Sequence, residues 1–176
     1  MLEIEAKVKV SSIEQIKEIL KSKNAKFLGS NIQKDSYYNS PLRDFAKTDE
    51  ALRIRDNGGR YELTYKGAKV KGTGAKAREE FNIDINSAKD LEEILLRLGF
   101  FKSSMVFKKR EEYTYKDTTI ALDIVEGLGE FIEIEVVTDD KDRALTLIDL
   151  VKAEIGISGE NIRESYLEML INKKGV

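Results

Sequence analysis

The chain has 176 residues, 30 of them basic and 32 acidic, for a formal net charge of −2. That length suits a single domain with a sizeable core, and the near-cancelling charges argue against a general nucleic-acid surface. Charged residues at 35% and apolar residues at 41%, with no apolar run near the roughly 18 residues of a bilayer span, read as a soluble globular chain and not a membrane protein.

The first ten residues alternate strictly, with Leu2, Ile4, Ala6, Val8 and Val10 on one face and Glu3, Glu5, Lys7 and Lys9 on the other. Period two predicts a strand with one buried face. Ser11 and Glu14 are spaced as a capping box for a helix whose stripe is Ile13, Ile16, Ile19 and Leu20. Strands are expected over 26–39, 51–56 and 60–66, the last two joined by Asn57-Gly58-Gly59, a strong hairpin signal. Residues 67–77 are rich in glycine and lysine and read as a loop; Lys71 and Lys76 there resemble a phosphate loop only superficially.

The pattern then restarts. A strand over 78–85 precedes a helix opened by Ser87 and Asp90, striped by Leu91, Ile94, Leu95 and Leu98 and closed by Gly99. Strands over 104–115, 119–126 and 130–137 follow, then a helix over 139–155 with Ala144, Leu147, Ile148 and Val151 inward, and a short helix over 160–171. Each half reads strand, helix, three strands, and an offset of 75 lays Ser12 on Ser87 and Glu5 on Glu80. The expected fold is therefore α+β, a duplicated β-α-β-β-β unit with halves at about 1–67 and 77–137 and helices at 139–171. Eight mostly antiparallel strands with helices outside hide their edges best as a closed or nearly closed barrel.

With no Cys and no His, thiol nucleophiles, zinc-thiolate sites and every imidazole base or ligand are excluded. Chemistry must run on carboxylates, Lys, Arg, Tyr and a hard cation. Charges recur at spacing two in Glu3-x-Glu5-x-Lys7, Arg53-x-Arg55, Glu62-x-Thr64-x-Lys66, Arg78-x-Glu80, Lys108-x-Arg110-x-Glu112 and Glu133-x-Glu135. Each set shares one strand face, about 6.6 Å between members. Such faces can be plain solvent faces of an antiparallel sheet; Lys108-Lys109-Arg110 can be a solubilising run and Tyr37 and Tyr38 core residues. Turned inward in a barrel, the same charges would line a tunnel with acids at some strands and Lys or Arg at most, suited to a polyphosphate chelated by Mg²⁺ or Mn²⁺. Asp123, between Leu122 and Ile124, needs a partner in its apolar strand, and a metal is one candidate.

In this order the residues resemble the CYTH family, also called triphosphate tunnel metalloenzymes. The matches are Glu3-Ile4-Glu5-Ala6-Lys7, Asp35-Ser36-Tyr37-Tyr38, Leu52-Arg53-Ile54-Arg55, Thr64-Tyr65-Lys66-Gly67, Arg78-Glu79-Glu80, Lys108-Lys109-Arg110, Leu122-Asp123, the run from Gly127 to Glu135, and the run from Arg163 to Glu168. They span nearly the whole chain, so one CYTH-like domain over 1–176 is expected. The resemblance implies an eight-stranded antiparallel triphosphate tunnel. It also implies metal ligands at Glu3, Glu5, Asp123, Glu133 and Glu135, and a triphosphate grip by Lys7, Arg53, Arg55, Lys66, Arg78, Lys108 and Arg110, with Glu80 in the same lining.

Three activities are compatible with that lining. The Gly127–Glu135 and Arg163–Glu168 segments look most like class IV adenylyl cyclases, which implies ATP cyclised to cyclic AMP with release of pyrophosphate. A triphosphatase acting on tripolyphosphate, thiamine triphosphate or a nucleoside triphosphate would use the same residues, with Lys66 and Tyr37 orienting water. A non-catalytic polyphosphate or nucleotide binder is the third. The expected ligand is a small triphosphate, with no nucleic-acid or membrane partner; a homodimer is suggested by family habit alone. The opening MLEIEAKVKV does not read as a signal peptide, so the cytoplasm is the expected compartment.

Overall fold

The computed structural model describes residues 2–69 and 76–174. Its strands are β1 (Leu2–Lys9), β2 (Lys26–Asn39), β3 (Ala51–Asn57), β4 (Arg60–Lys66), β5 (Lys76–Arg78), β6 (Glu80–Ile85), β7 (Phe101–Tyr115), β8 (Thr118–Val125) and β9 (Gly129–Thr138). Its helices are α1 (Ile13–Ser22), α2 (Phe45–Thr48), α3 (Ala88–Arg97), α4 (Lys141–Glu154) and α5 (Tyr166–Lys173). Residues 70–75, including Lys71 and most of the expected glycine- and lysine-rich loop, lie outside the described residues.

One antiparallel sheet runs in the order β5-β1-β9-β8-β7-β2-β3-β4-β6. Its two ends are consecutive in the chain. β5 pairs with β1 while β6 pairs with β4, and only Glu79 separates them. A single broken strand thus joins both edges, and counting it once gives the eight expected strands. Closing the sheet removes the open edges that would otherwise invite other strands.

Alternation sorts the side chains as expected. On β1 the outward Ile4, Ala6 and Val8 are buried under α1 and α4, which contribute Ile13, Ile16, Leu20, Ala144, Ile148 and Val151. α3 covers a second outer core at Tyr38, Ile54 and Leu95. The hairpin turn is Gly58-Gly59, both at positive φ, a two-residue loop only glycine adopts without strain. α5 is the exception to the outer layer. Val106, Val125 and Phe131 share their strand faces with Lys108, Asp123 and Glu133, and Tyr166 of α5 packs on them, so this helix closes against the inner face at one end.

Several boundaries differ from expectation. Ser12, not Ser11, caps α1, its hydroxyl accepting from Gln15 N; both serines satisfy the pattern, and only the backbone turn chooses. Ser87 caps α3 as expected, so the two caps keep the offset of 75. In α3 only Leu95 is buried, while Ile94 and Leu98 are more than half exposed, because the helix meets the sheet through Ala88, Leu91 and Leu95. The short helix α2 carried no period, and the C-terminal helix begins only at Ser165, where a capping box forms with Glu168. No described helix is long and apolar enough to cross a membrane.

A close approach fixes Gly159. A Cβ there would overlap Val8 Cγ1 in the β1 core, with Lys9 O also nearby. Gly159→Ala is expected to cost about 1–3 kcal/mol through overpacking, read as a lower midpoint in urea unfolding with an unchanged slope.

Candidate active site

The inner faces enclose a cavity of about 400 Å³. Every candidate site residue named above lines it except Asp123, which is fully buried behind the wall. The lining also departs from expectation in its balance. Among the described residues seven basic side chains face eleven acidic ones, so acids outnumber Lys and Arg instead of the reverse. Over the described lining that balance is net negative, a potential that a bound cation would offset.

The acids concentrate where β1 meets β9. Glu5 stands directly opposite Glu135 and Lys7 opposite Glu133, with Glu3 one inward position further along β1. Burial, then the neighbouring Glu3 and Glu5, push the Glu135 carboxyl up to about 8. Like charges facing across a ladder destabilise it unless something positive comes between them. Oxygen-only donors in that state fit Mg²⁺ or Mn²⁺, although among the described residues no three carboxylates converge on one point.

Further along the bore the charges are paired. Lys7 Nζ lies 3.2 Å from Glu133 Oε1 and 3.5 Å from Glu5 Oε1, and donates to the carbonyl of Glu164 at 3.1 Å. Burial alone would lower the ammonium pKa, but Glu133 and Glu5 outweigh it and the net shift is upward. Arg110 donates to both Asp123 oxygens, at 2.7 and 2.5 Å, and also to Glu133. Asp123 accepts in addition from Lys108 at 3.2 Å and from the Tyr166 hydroxyl at 2.8 Å. In this arrangement it acts as a counter-ion held by three side chains. The Lys108 ammonium is pulled down to about 7, by burial first and the Arg110 charge second, with Asp123 and Glu133 only partly opposing.

The opposite wall is the cationic one. Asp35 grips Arg55 through two bonds of 2.6 and 2.7 Å, with Arg53 at 3.6 Å. Arg53 also donates to Thr64 at 2.8 Å and Glu62 at 3.3 Å. Lys66 pairs with Glu80, while Arg78, back on β5 in register with Glu3, holds the carbonyl and carboxylate of Asp49. Two buried donors, Nε of Arg53 and Nε of Arg78, have no hydrogen-bond partner among the described residues. Buried unpaired donors are costly, and a phosphate oxygen is the acceptor that best repairs them. Tyr37 and Lys66 both line the cavity but are not brought together: Tyr37 is on β2, Lys66 on β4, with β3 between.

Where α2 and α5 sit, the lining mixes Phe45, Leu167 and Ile171 with Asp49, Glu50 and Glu168, and Leu52, Ser103 and Ser104 add further uncharged surface. Asp35 and Tyr166 fall inside the quoted motifs but received no role from the sequence, and the structure brings both to the cavity. Asp35 shares a face with Tyr37 opposite Arg53 and Arg55, a signal that alternation did contain. No local pattern told that Tyr166, at the first turn of α5, would reach the barrel interior.

Comparisons with known proteins agree with this geometry. A Methanocaldococcus jannaschii protein with a provisional adenylate cyclase name is 41% identical over 174 residues, covering 96% of this chain and 98% of that one. The solved PH1819 protein of Pyrococcus horikoshii is 40% identical at a TM-score of 0.83, covering 97% of this chain and 99% of that one. HpAC1 from Hippeastrum, a cyclase candidate described as having a dominant triphosphatase activity, shares the fold at 20% identity and a TM-score of 0.72, with 98% and 96% of the two chains covered. The CYTH domain matches residues 1–166, the span that contains every strand of the barrel, and by that match the chain belongs to the CYTH family.

Proposed function

We propose that this protein converts a metal-chelated nucleoside triphosphate, with ATP cyclised to cyclic AMP and pyrophosphate as the reading supported best. The observation that carries it is the meeting of two features in one bore. One is the carboxylate cluster in which Glu5 faces Glu135 across the β1–β9 ladder with Glu3 beside them; the other is the pair of unfilled buried donors, Nε of Arg53 across the bore and Nε of Arg78 on β5 next to Glu3, which lack a hydrogen-bond partner among the described residues. Pockets of about 300–1,000 Å³ seat ligands of drug size, so a cavity of about 400 Å³ has more room than a bare triphosphate needs. The apolar side chains Phe45, Leu52, Leu167 and Ile171 in the lining offer surface for an organic group.

In this reading Glu3, Glu5 and Glu135 hold the divalent cation with Glu133 alongside, and Asp123 stands behind the wall as counter-ion to Arg110 and Lys108. When bound, Mg²⁺ or Mn²⁺ supplies charge that offsets the phosphate oxygens and makes phosphorus more electrophilic. Arg53, Arg55 and Lys66 grip the phosphate chain from the opposite wall and Arg78 from β5 beside Glu3, Arg through paired N–H donors and Lys as a point charge. Lys7, Lys108 and Arg110 face it from the Asp123–Glu133 side. They stabilise charge developing on pyrophosphate as the ribose 3′-oxygen bonds to the α-phosphorus and the bridging oxygen departs. Positioning and electrostatics carry most of in-line phosphoryl chemistry, so the missing imidazole is no obstacle.

A second reading is a triphosphatase, favoured by the described activity of HpAC1; water then attacks the terminal phosphorus, with Lys66 and Tyr37 acting on it separately. The test is a panel of ATP, tripolyphosphate and thiamine triphosphate with Mg²⁺ or Mn²⁺, read by product identity. Cyclic AMP from ATP is the expected result. Orthophosphate from tripolyphosphate with no cyclic AMP replaces it by the second reading, and metal-independent binding without turnover makes the protein a binder only. In the same assays Arg55→Ala is expected to weaken triphosphate binding about tenfold or more and monophosphate binding much less, since charge-assisted bidentate contacts contribute about 1.5–3 kcal/mol each.

A further inference from the structure

We infer that Tyr166 is a positioning residue of this site, seating the two buried ammonium groups that face the phosphate chain. The inference rests on the triphosphate reading above and goes beyond it. Tyr166 is 7% exposed, and its ring meets Phe131 edge-on at 5.1 Å. The Lys7 ammonium lies 4.2 Å from the ring centroid and that of Lys108 lies 5.1 Å away. The hydroxyl donates to Asp123 Oδ2, the oxygen that also accepts from Lys108 and Arg110.

Each of these contacts has a chemical consequence. A carboxylate partner neutralises an ammonium and consumes its N–H donors, whereas a ring face stabilises the charge through its quadrupole without accepting a full N–H hydrogen bond. The ring thus adds to the seating of Lys7, whose ammonium also meets Glu133, Glu5 and the Glu164 carbonyl, and it supports the charged form of Lys108 against burial while Asp123 takes one of its N–H groups. The hydroxyl contributes differently. By donating to Asp123 it fills an acceptor position that would otherwise draw Lys108 more tightly onto the carboxylate. The ring comes from α5, at the far end of the chain, and the same segment fixes Lys7 through the carbonyl of Glu164. The C-terminal segment thus completes a phosphate-binding wall that β1 and β7 only begin.

Phe and Leu at position 166 separate the ring from the hydroxyl. With Mg²⁺ present, Tyr166→Leu is expected to raise KM for the triphosphate about tenfold or more with a much smaller change in kcat, and Tyr166→Phe, which restores the ring, to recover most of that loss. A folded Tyr166→Leu variant with wild-type KM overturns the inference. A second measurement does not depend on turnover or on the leucine variant folding. In the wild-type protein the ε-methylene NMR signals of Lys7 and Lys108 should be shifted upfield by the ring, and Tyr166→Phe should keep the shift. Ordinary lysine positions for both also overturn the inference. If the wild type neither binds nor processes any triphosphate, the functional reading falls, and the lysine shifts alone decide whether Tyr166 seats these groups.

Discussion

Replacing Arg110 by methionine should destabilise the protein more than any other single change in the bore. Its guanidinium bridges Asp123, which is fully buried, and Glu133. Methionine fills much of the volume but leaves those two carboxylates to share Lys108, Lys7 and the Tyr166 hydroxyl. Removing one partner of a buried ionic network typically costs about 3–5 kcal/mol, because the surviving charge stays desolvated. In the folded wild type Asp123 is held below its usual carboxylate range: burial pushes upward, but Arg110 and Lys108 together outweigh it. Without Arg110 the burial effect dominates and the carboxyl takes up a proton more readily. The folded variant then binds more protons than the folded wild type, so its deficit shrinks as pH falls. Urea unfolding at pH 8 and pH 5 should show a large loss at pH 8 and a smaller one at pH 5. Equal losses at both would mean that methionine packing, not an unpaired charge, causes the effect.

The same network shows what a sequence can and cannot say. Spacing-two charges on β1, β3, β4, β7 and β9 revealed which residues share a face, because strand geometry forces alternate residues to opposite sides. Closure of the barrel then turned all those faces toward one another, and the offset of 75 between Ser12 and Ser87 tracked the duplicated order of elements. Alternation names a face but not a partner. Asp123 was read toward a metal because an acid between Leu122 and Ile124 needs a cation; the structure offers it Arg110 and Lys108, one strand away in register. The acid excess stayed hidden for a related reason, since Asp49, Glu50 and Glu168 reach the cavity from a turn and a helix that follow no strand period. Tyr166 belongs with these. Its burial depends on where α5 meets Val106, Val125 and Phe131, a contact between distant segments that no local pattern encodes. Ile94 and Leu98 erred the other way: helical periodicity placed them on a stripe wider than the sheet beneath α3 can cover.

Glu135→Gln is the change expected to have the largest effect on activity, and its effect on stability should run in the opposite direction. Burial and the facing Glu3 and Glu5 raise the Glu135 carboxyl from its ordinary value near 4.5 to about 8. The folded protein therefore holds a proton there that the unfolded chain gives up. Its stabilising contribution is whole below about pH 4.5 and is lost as pH rises through about 8. The metal-free wild type should thus weaken between those limits, by on the order of 3 kcal/mol. Glutamine carries no charge to repel, so the variant should be the more stable of the two at pH 8 and nearly flat across that window. Added Mg²⁺ or Mn²⁺ should restore the wild type at pH 8 by offsetting the repulsion among these carboxylates, and should do far less for the variant. Turnover should fall at least about a hundredfold, the scale of losing a preorganised electrostatic contact. Thermal unfolding across pH with and without metal reads the first effect, and product formation reads the second. A variant that metal stabilises as strongly as the wild type would remove Glu135 from the cation site; a metal-free wild type that is flat between pH 5 and 8 would mean that Glu3, Glu5 and Glu135 do not repel one another as their placement requires.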